Sequence, residues 1–223
     1  MTLSRRFFLA SSVLASALLT RGAQAQALPE VMNGFGAVSV RDALSKRESI
    51  RTYADRAIDD DQLLALLWAA NGVNRPDVDG RTVPSWRTAR DTRIFVARAS
   101  GVDHFDPLEN KLSNHSTNDV RASLSPQPFV GKAPVALIYV TELARVLAAA
   151  GLETDALDAI TEDHRIAAHV NTAVIAQNVY LFCAAEGLGT CLVGGADRVA
   201  AAAALNLTDG QMVTYVQPVG HPA

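Results

Sequence analysis

The chain has 223 residues, 49% of them hydrophobic and 19% charged, which is enough apolar material for one sizeable core and too much for a disordered segment. Its 20 Lys and Arg against 23 Asp and Glu give a formal net charge of −3, so no basic surplus exists to neutralise a nucleic-acid backbone or an anionic membrane surface. The only cysteines, Cys183 and Cys191, are too few for a disulfide framework and read as buried thiols.

The first residues read as an address. Ser4-Arg5-Arg6-Phe7-Phe8-Leu9 leads into an apolar run from Ala10 to Leu19, and Ala23-Gln24-Ala25-Gln26-Ala27 then offers two small-x-small cleavage sites. The run falls short of the ~18 residues needed to span a bilayer, which favours a cleavable signal over an anchor. Residues 1–27 are therefore expected to be a twin-arginine signal peptide and residues 28–223 a single exported, periplasmic domain with no stable membrane insertion. Because that route carries folded proteins, a tightly held redox cofactor is a natural expectation.

Beyond the signal, residues 38–46 carry apolar positions at helical spacing. Ile58-Asp59-Asp60-Asp61 opens a second helix with an acid-rich first turn, followed by Leu63, Leu64, Leu67 and Trp68. Residues 71–93 are rich in Gly, Pro, Asn and Arg and read as a long ordered loop, a kind of segment that is usually functional. Strand-like sequence resumes at residues 94–97, and the continuous apolar run 135–141 behind Pro134 predicts a buried central strand. Residues 163–186 predict the longest helix, stopped by Gly187. A short strand over 190–193 ends at Gly194-Gly195, an Ala-rich helix lies near 200–204, and residues 212–219 form a last strand. This mixture indicates an α+β domain.

Lys46-Arg47-Glu48-Ser49-Ile50-Arg51 places two guanidiniums and a hydroxyl at the junction of two helices. The set suits a phosphate, since arginine presents a planar donor fork to its oxygens, but the same residues alone also read as a solvated face with surface ion pairs. His104, His115, His164, His169 and His221 lack metal-ligand spacing and no Ser/His/Asp set is evident, so no metal is expected.

Taken in order, Arg47-Glu48-Ser49-Ile50-Arg51-Thr52-Tyr53, Arg81-Thr82-Val83-Pro84-Ser85-Trp86, Ala133-Pro134-Val135, Gln177-Asn178-Val179-Tyr180-Leu181, Gly187-Leu188-Gly189-Thr190 and Val219-Gly220-His221-Pro222 resemble the nitroreductase superfamily. The similarity is closest to its branch of thiazoline and oxazoline dehydrogenases, where an arginine-threonine-x-proline-serine segment occupies the loop. The resemblance implies a mostly antiparallel central sheet flanked by helices, a long central helix, and an intertwined homodimer with FMN at the subunit interface. It implies that Arg47, Ser49 and Arg51 bind the flavin, with Arg47 on the phosphate and Arg51 near the N1 and O2 edge of the ring. Pro84, Ser85 and Trp86 match the partner subunit's contribution, although alone they read as a proline turn with a packed tryptophan. Gln127 and Asn171 align with positions bonded to the ring's polar edge, or are ordinary capping amides. Val193, Gly194 and Gly195 match the segment offering a backbone N–H to flavin N5, or form a plain turn. Many family members continue past the terminal glycine into a further basic segment, whereas here Arg75, Arg90 or Arg93 would have to serve instead.

The function so implied is ping-pong electron transfer through flavin N5, from a small-molecule donor to an acceptor such as a nitroaromatic or quinone. Two alternatives stay open: a flavin-dependent dehydrogenase of a small organic substrate, and an exported module that binds a flavin or small ligand without turnover.

Overall fold

The structure, a computed structural model, describes residues 30–223, so the segment read as a signal lies outside the described residues. Helix α1 (Val40–Lys46) starts at Ser39, whose side chain accepts the N–H of Asp42. Helix α2 (Asp60–Asn71) starts at Asp59, whose carboxylate accepts the N–H of Gln62 at 2.7 Å, while Asp60 and Asp61 sit against the positive end of the helix dipole. Leu63, Ala65, Leu66, Leu67 and Ala70 bury α2 nearly all round, because it is held between the sheet and the long helix.

The expected loop 71–93 is ordered, and it contains a small ribbon of β1 (Val73–Arg75) and β2 (Gly80–Arg81). Next come β3 (Thr92–Arg98), β4 (Gly101–Asp106) and β5 (Lys111–Ser116), then α3 (Pro128–Lys132), β6 (Val135–Glu142) and α4 (Leu143–Ala150). Helix α5 (Glu162–Glu186), strand β7 (Gly189–Thr190), helix α6 (Arg198–Ala204) and strand β8 (Gln211–Gly220) complete the chain. The six-stranded sheet runs β5-β4-β3-β6-β8-β7, and every pairing in it is antiparallel. The α+β class, the antiparallel sheet between helices and the long central helix are thus as the sequence implies.

Strand β6 is buried on both faces, which explains its unbroken apolar sequence. On one face Val135, Leu137 and Tyr139 join Ile94, Val96, α2 and α5; on the other, Ala136, Ile138 and Val140 join Phe95, Ala97, Ala201 and Leu205. Each large apolar side chain so enclosed contributes about 1.5–3 kcal/mol relative to exposure. Polar pins fix α5 against this surface: the Thr172 and Thr214 hydroxyls lie 2.8 Å apart, and Gln217 accepts from the Tyr139 hydroxyl at 2.6 Å while donating to the Ala176 carbonyl.

Two details position the site. Ile138 pairs with Val216 while Val140 pairs with Val213, so β8 carries one extra residue, a bulge of the kind common beside functional sites. Helix α5 is opened by a capping box between Thr161 and His164 and closed at Gly187, whose φ of 69° is the left-handed conformation glycine adopts without strain.

Candidate functional site

Arg47 caps the C-terminus of α1, and the chain leaves it extended along the sheet edge. The Ile50 N–H donates to the Thr190 carbonyl at 2.9 Å, and the Tyr53 hydroxyl returns to the Ile50 carbonyl at 2.8 Å. Burial pushes the Tyr53 phenol well above its ordinary range, so it stays a neutral donor. The approach of this segment to β7 requires a glycine, since a Cβ at Gly189 would lie 2.7 Å from the Ile50 side chain. The end of the chain closes the other side, where the Ala54 N–H donates to the His221 carbonyl and Tyr53 bridges to Pro222.

Tyr180 is the hub of the arrangement. Its hydroxyl lies 3.0 Å from the Ser49 hydroxyl and accepts the Leu192 N–H at 2.8 Å, and the Arg47 guanidinium rests over its ring at 5.6 Å. Leu192 immediately precedes Val193, which pairs with Val216 beside the β8 bulge through a 2.8 Å hydrogen bond from its N–H. The basic segment and the Gly-Gly turn therefore share one seam, two hydrogen bonds across. Sequence reasoning had no mechanism for Tyr180, although its place nine residues beyond Asn171 on a helical pattern is a signal that could have found it.

Gly194 and Gly195 are exposed, and among the described residues neither N–H has an acceptor. Their carbonyls are occupied, that of Gly194 by Arg198 and that of Gly195 by the Ser125 hydroxyl. The Gln127 amide nitrogen lies 3.3 Å from where a Gly195 Cβ would be, which brings Gln127 to the same turn. Among the described residues no carboxylate pairs with Arg47 or Arg51. Guanidiniums without a carboxylate partner, a hydroxyl and N–H groups without an acceptor make a surface equipped to take an anion.

The other candidates lie elsewhere in the subunit. The Trp86 N–H donates to the Asn171 carbonyl oxygen at 2.8 Å, and the Arg90 N–H donates to the Ser85 hydroxyl at 3.0 Å. The first bond seats the loop of Pro84, Ser85 and Trp86 on α5 about 13 Å along the helix from Tyr180, and the second ties the loop to itself. Asn171, read as either a ring-edge contact or an ordinary amide, also donates its amide to Asp91 at 2.6 Å, and the residue is buried. Its physical role is to brace the loop, because both ends of its amide are engaged. Arg90 and Arg93, the substitutes for a further phosphate contact, are tied to Asp79 and Glu142. Strand β3, which carries Arg93, is separated from β7 by β6 and β8, so the Arg93 side chain does not reach the seam.

The family model for the nitroreductase family matches residues 44–221. The chain belongs to the nitroreductase family. A curated nitroreductase-family protein of Methanocaldococcus jannaschii, MJ1384, is 29% identical over 168 residues, which cover 70% of this chain and 79% of that protein. A nitroreductase crystal structure from Ralstonia eutropha JMP134 superposes with a TM-score of 0.76 at 28% identity, covering 84% of this chain and 85% of that one. Bacillus megaterium NfrA2 shares the fold, with a TM-score of 0.61 at 18% identity over 82% of this chain and 66% of its own. Nitroreductase family members are flavin oxidoreductases, and in this nitroreductase-family chain the seam carries exposed backbone donors without an acceptor among the described residues.

Proposed function

We propose that the chain is an FMN-dependent oxidoreductase, with the flavin held along the seam from Arg47 to Gly195. The observation that carries this reading is the Tyr180 hydroxyl, which joins Ser49 to Leu192, two residues before the Gly-Gly turn, and so brings cations without a carboxylate partner close to N–H groups without an acceptor. The residues fit the group: Arg47 and Ser49 suit the phosphate, Arg51 favours negative charge at the ring edge, and Gly194, beside which a Cβ would meet nothing within 4 Å, leaves room for close approach. Bound there, the flavin supplies two-electron transfer, and the protein supplies position and field. Gln127 stands beside the turn as a side-chain donor to the ring's polar edge.

The same reading takes the active unit to be a homodimer. Ile166 and Val170, one turn apart on α5, are 52% and 54% exposed, and Val40 on α1 is 70% exposed. Such apolar area on two neighbouring helices suits burial by a second copy. Pro84, Ser85 and Trp86 would then complete the partner's pocket rather than their own. The acceptor is a small molecule such as a nitroaromatic or quinone, and residues 1–27 direct the folded protein to the periplasm by the twin-arginine route.

Purified full-length protein should be yellow, with an absorbance band at about 450 nm that grows on FMN addition. Arg47→Ala should weaken FMN retention by tenfold or more, about 1.4 kcal/mol or greater. Colourless protein that takes up no FMN, or unchanged affinity in the variant, would remove the assignment.

A further inference from the structure

A cavity of about 170 Å³ opens away from the seam, between the end of α2, the segment from Asp79 to Thr92, the turn after β4, and α4. Arg81, Arg90, Arg93 and Arg145 all line it. Two carboxylates serve these four guanidiniums: Asp79 pairs with Arg81 at 3.0 Å and Arg90 at 3.6 Å, and Glu142 pairs with Arg93 at 2.7 Å and Arg145 at 3.0 Å. Each carboxylate is shared, so the lining keeps a surplus of positive charge. Asp106 also lines the wall and reduces that surplus, but its Oδ1 is engaged by the N–H groups of Leu108 and Glu109.

The arginines are graded from floor to mouth. The Arg81 side chain is 10% exposed and that of Arg90 31%, whereas Arg93 and Arg145 reach 42% and 53%. On the floor, the Arg81 Nε–H and the Thr92 hydroxyl are buried and have no hydrogen-bond partner. A buried donor left unpaired costs about 1–3 kcal/mol, and both donors belong to residues that line the cationic cavity. Burial also lowers the Arg81 pKa, a penalty on its charge that an anion would offset.

The backbone points the same way. Asp79 and Arg90 have φ of 46° and 48°, and Arg87 and Thr88 between them are also left-handed. Strain at non-glycine residues persists where surroundings over-determine it, and it gathers at ligand clamps. Here it falls on one of the shared carboxylates and on one of the lining arginines.

We propose that this cavity binds a small, doubly charged oxyanion of the phosphate or sulfate type, seated on Arg81, Arg90 and Thr92 and closed over by Arg93 and Arg145. The site is distinct from the seam and does not depend on flavin binding there. It adjoins the loop carrying Pro84, Ser85 and Trp86, because Arg90 is bonded to Ser85 through its N–H. Occupancy would therefore stiffen that loop.

The test is calorimetric titration of the full chain, saturated with FMN, with inorganic phosphate at constant ionic strength set by chloride. Saturable binding is expected, weakened about tenfold or more in Arg90→Gln/Arg145→Gln and unchanged in Arg47→Ala. Both arginines are more exposed than Arg81, so the variant keeps the buried Arg81–Asp79 pair. Sulfate should compete with phosphate, and acetate should compete at least tenfold less well. Absent binding, equal affinity in the double variant, or a loss confined to Arg47→Ala would overturn the proposal. The last outcome would assign the anion to the seam, so the two readings fail separately.

Discussion

The two halves of α5 hold opposite kinds of attachment. Near its C-terminal end Tyr180 ties down Ser49 and Leu192 with a single hydroxyl, and leaves Arg47, Arg51 and the turn N–H groups facing outward. Near its N-terminal end Asn171 spends both ends of its amide inward, on Trp86 and Asp91. Donors left over after folding mark a surface built for something outside the chain; donors consumed by folding mark a scaffold. The contrast separates residues that bind from residues that hold the shape of what binds, although both sets stood together as candidates in the sequence.

Asn171→Leu should break the inner half most severely. It strips a buried partner from Asp91 and from the Trp86 N–H while keeping the side-chain volume, at a cost of about 3–5 kcal/mol, read as a fall in the urea midpoint. A loss below about 1 kcal/mol would mean that the brace is not what holds the loop.

Gly189→Ala attacks the outer half by crowding instead. Its new Cβ must push Ile50 back, at about 1–3 kcal/mol by analogy with overpacked cores. Because Ile50 lies between Ser49 and Arg51, the proposed binding of FMN should weaken along with thermal stability. Adding Ile50→Ala should recover part of the binding loss, whereas strict additivity in that double variant would show that the contact does not couple the two segments. Tyr180→Phe is milder, about 1–2 kcal/mol, since it leaves the Leu192 N–H and the Ser49 hydroxyl without their shared partner.

How much of this was legible depended on where each element lies. Central elements were clear: the buried run after Pro134 became β6, the helical repeat ending at Gly187 became α5, and the acid-rich turn after Ile58 became α2 with Asp59 as its cap. The β4–β5 hairpin was not seen, because β5 is an edge strand reading Lys-Leu-Ser-Asn-His-Ser with most side chains in solvent, so no alternation of apolar residues announces it. Helix α4 was hidden by following β6 directly, with Glu142 closing the strand and capping the helix. At the site, Arg47, Ser49, Gly194 and Gly195 could be picked out by residue type. Tyr180 and Asn171 could not be told apart in role, because a buried amide and a tyrosine on one helix gain their meaning only from the loops that fold back onto them.

The smallest expected effect concerns the charge that the brace holds. Burial raises the Asp91 pKa above its ordinary 3.8, so the folded protein takes up that proton more readily than the unfolded chain. The stability contributed by this group is complete below the unfolded pKa and is lost as pH rises through the folded value. Asp91→Asn keeps an oxygen to accept from Asn171 but cannot ionise. Its urea midpoint should therefore match or exceed that of the parent near pH 7, and the advantage should shrink as both approach about pH 4. A variant less stable than the parent at neutral pH would mean that the carboxylate is favoured in its charged form by the nearby arginines. The inner half of α5 would then be held by charge pairing, and the distinction between its ends would lie in how completely each guanidinium is matched.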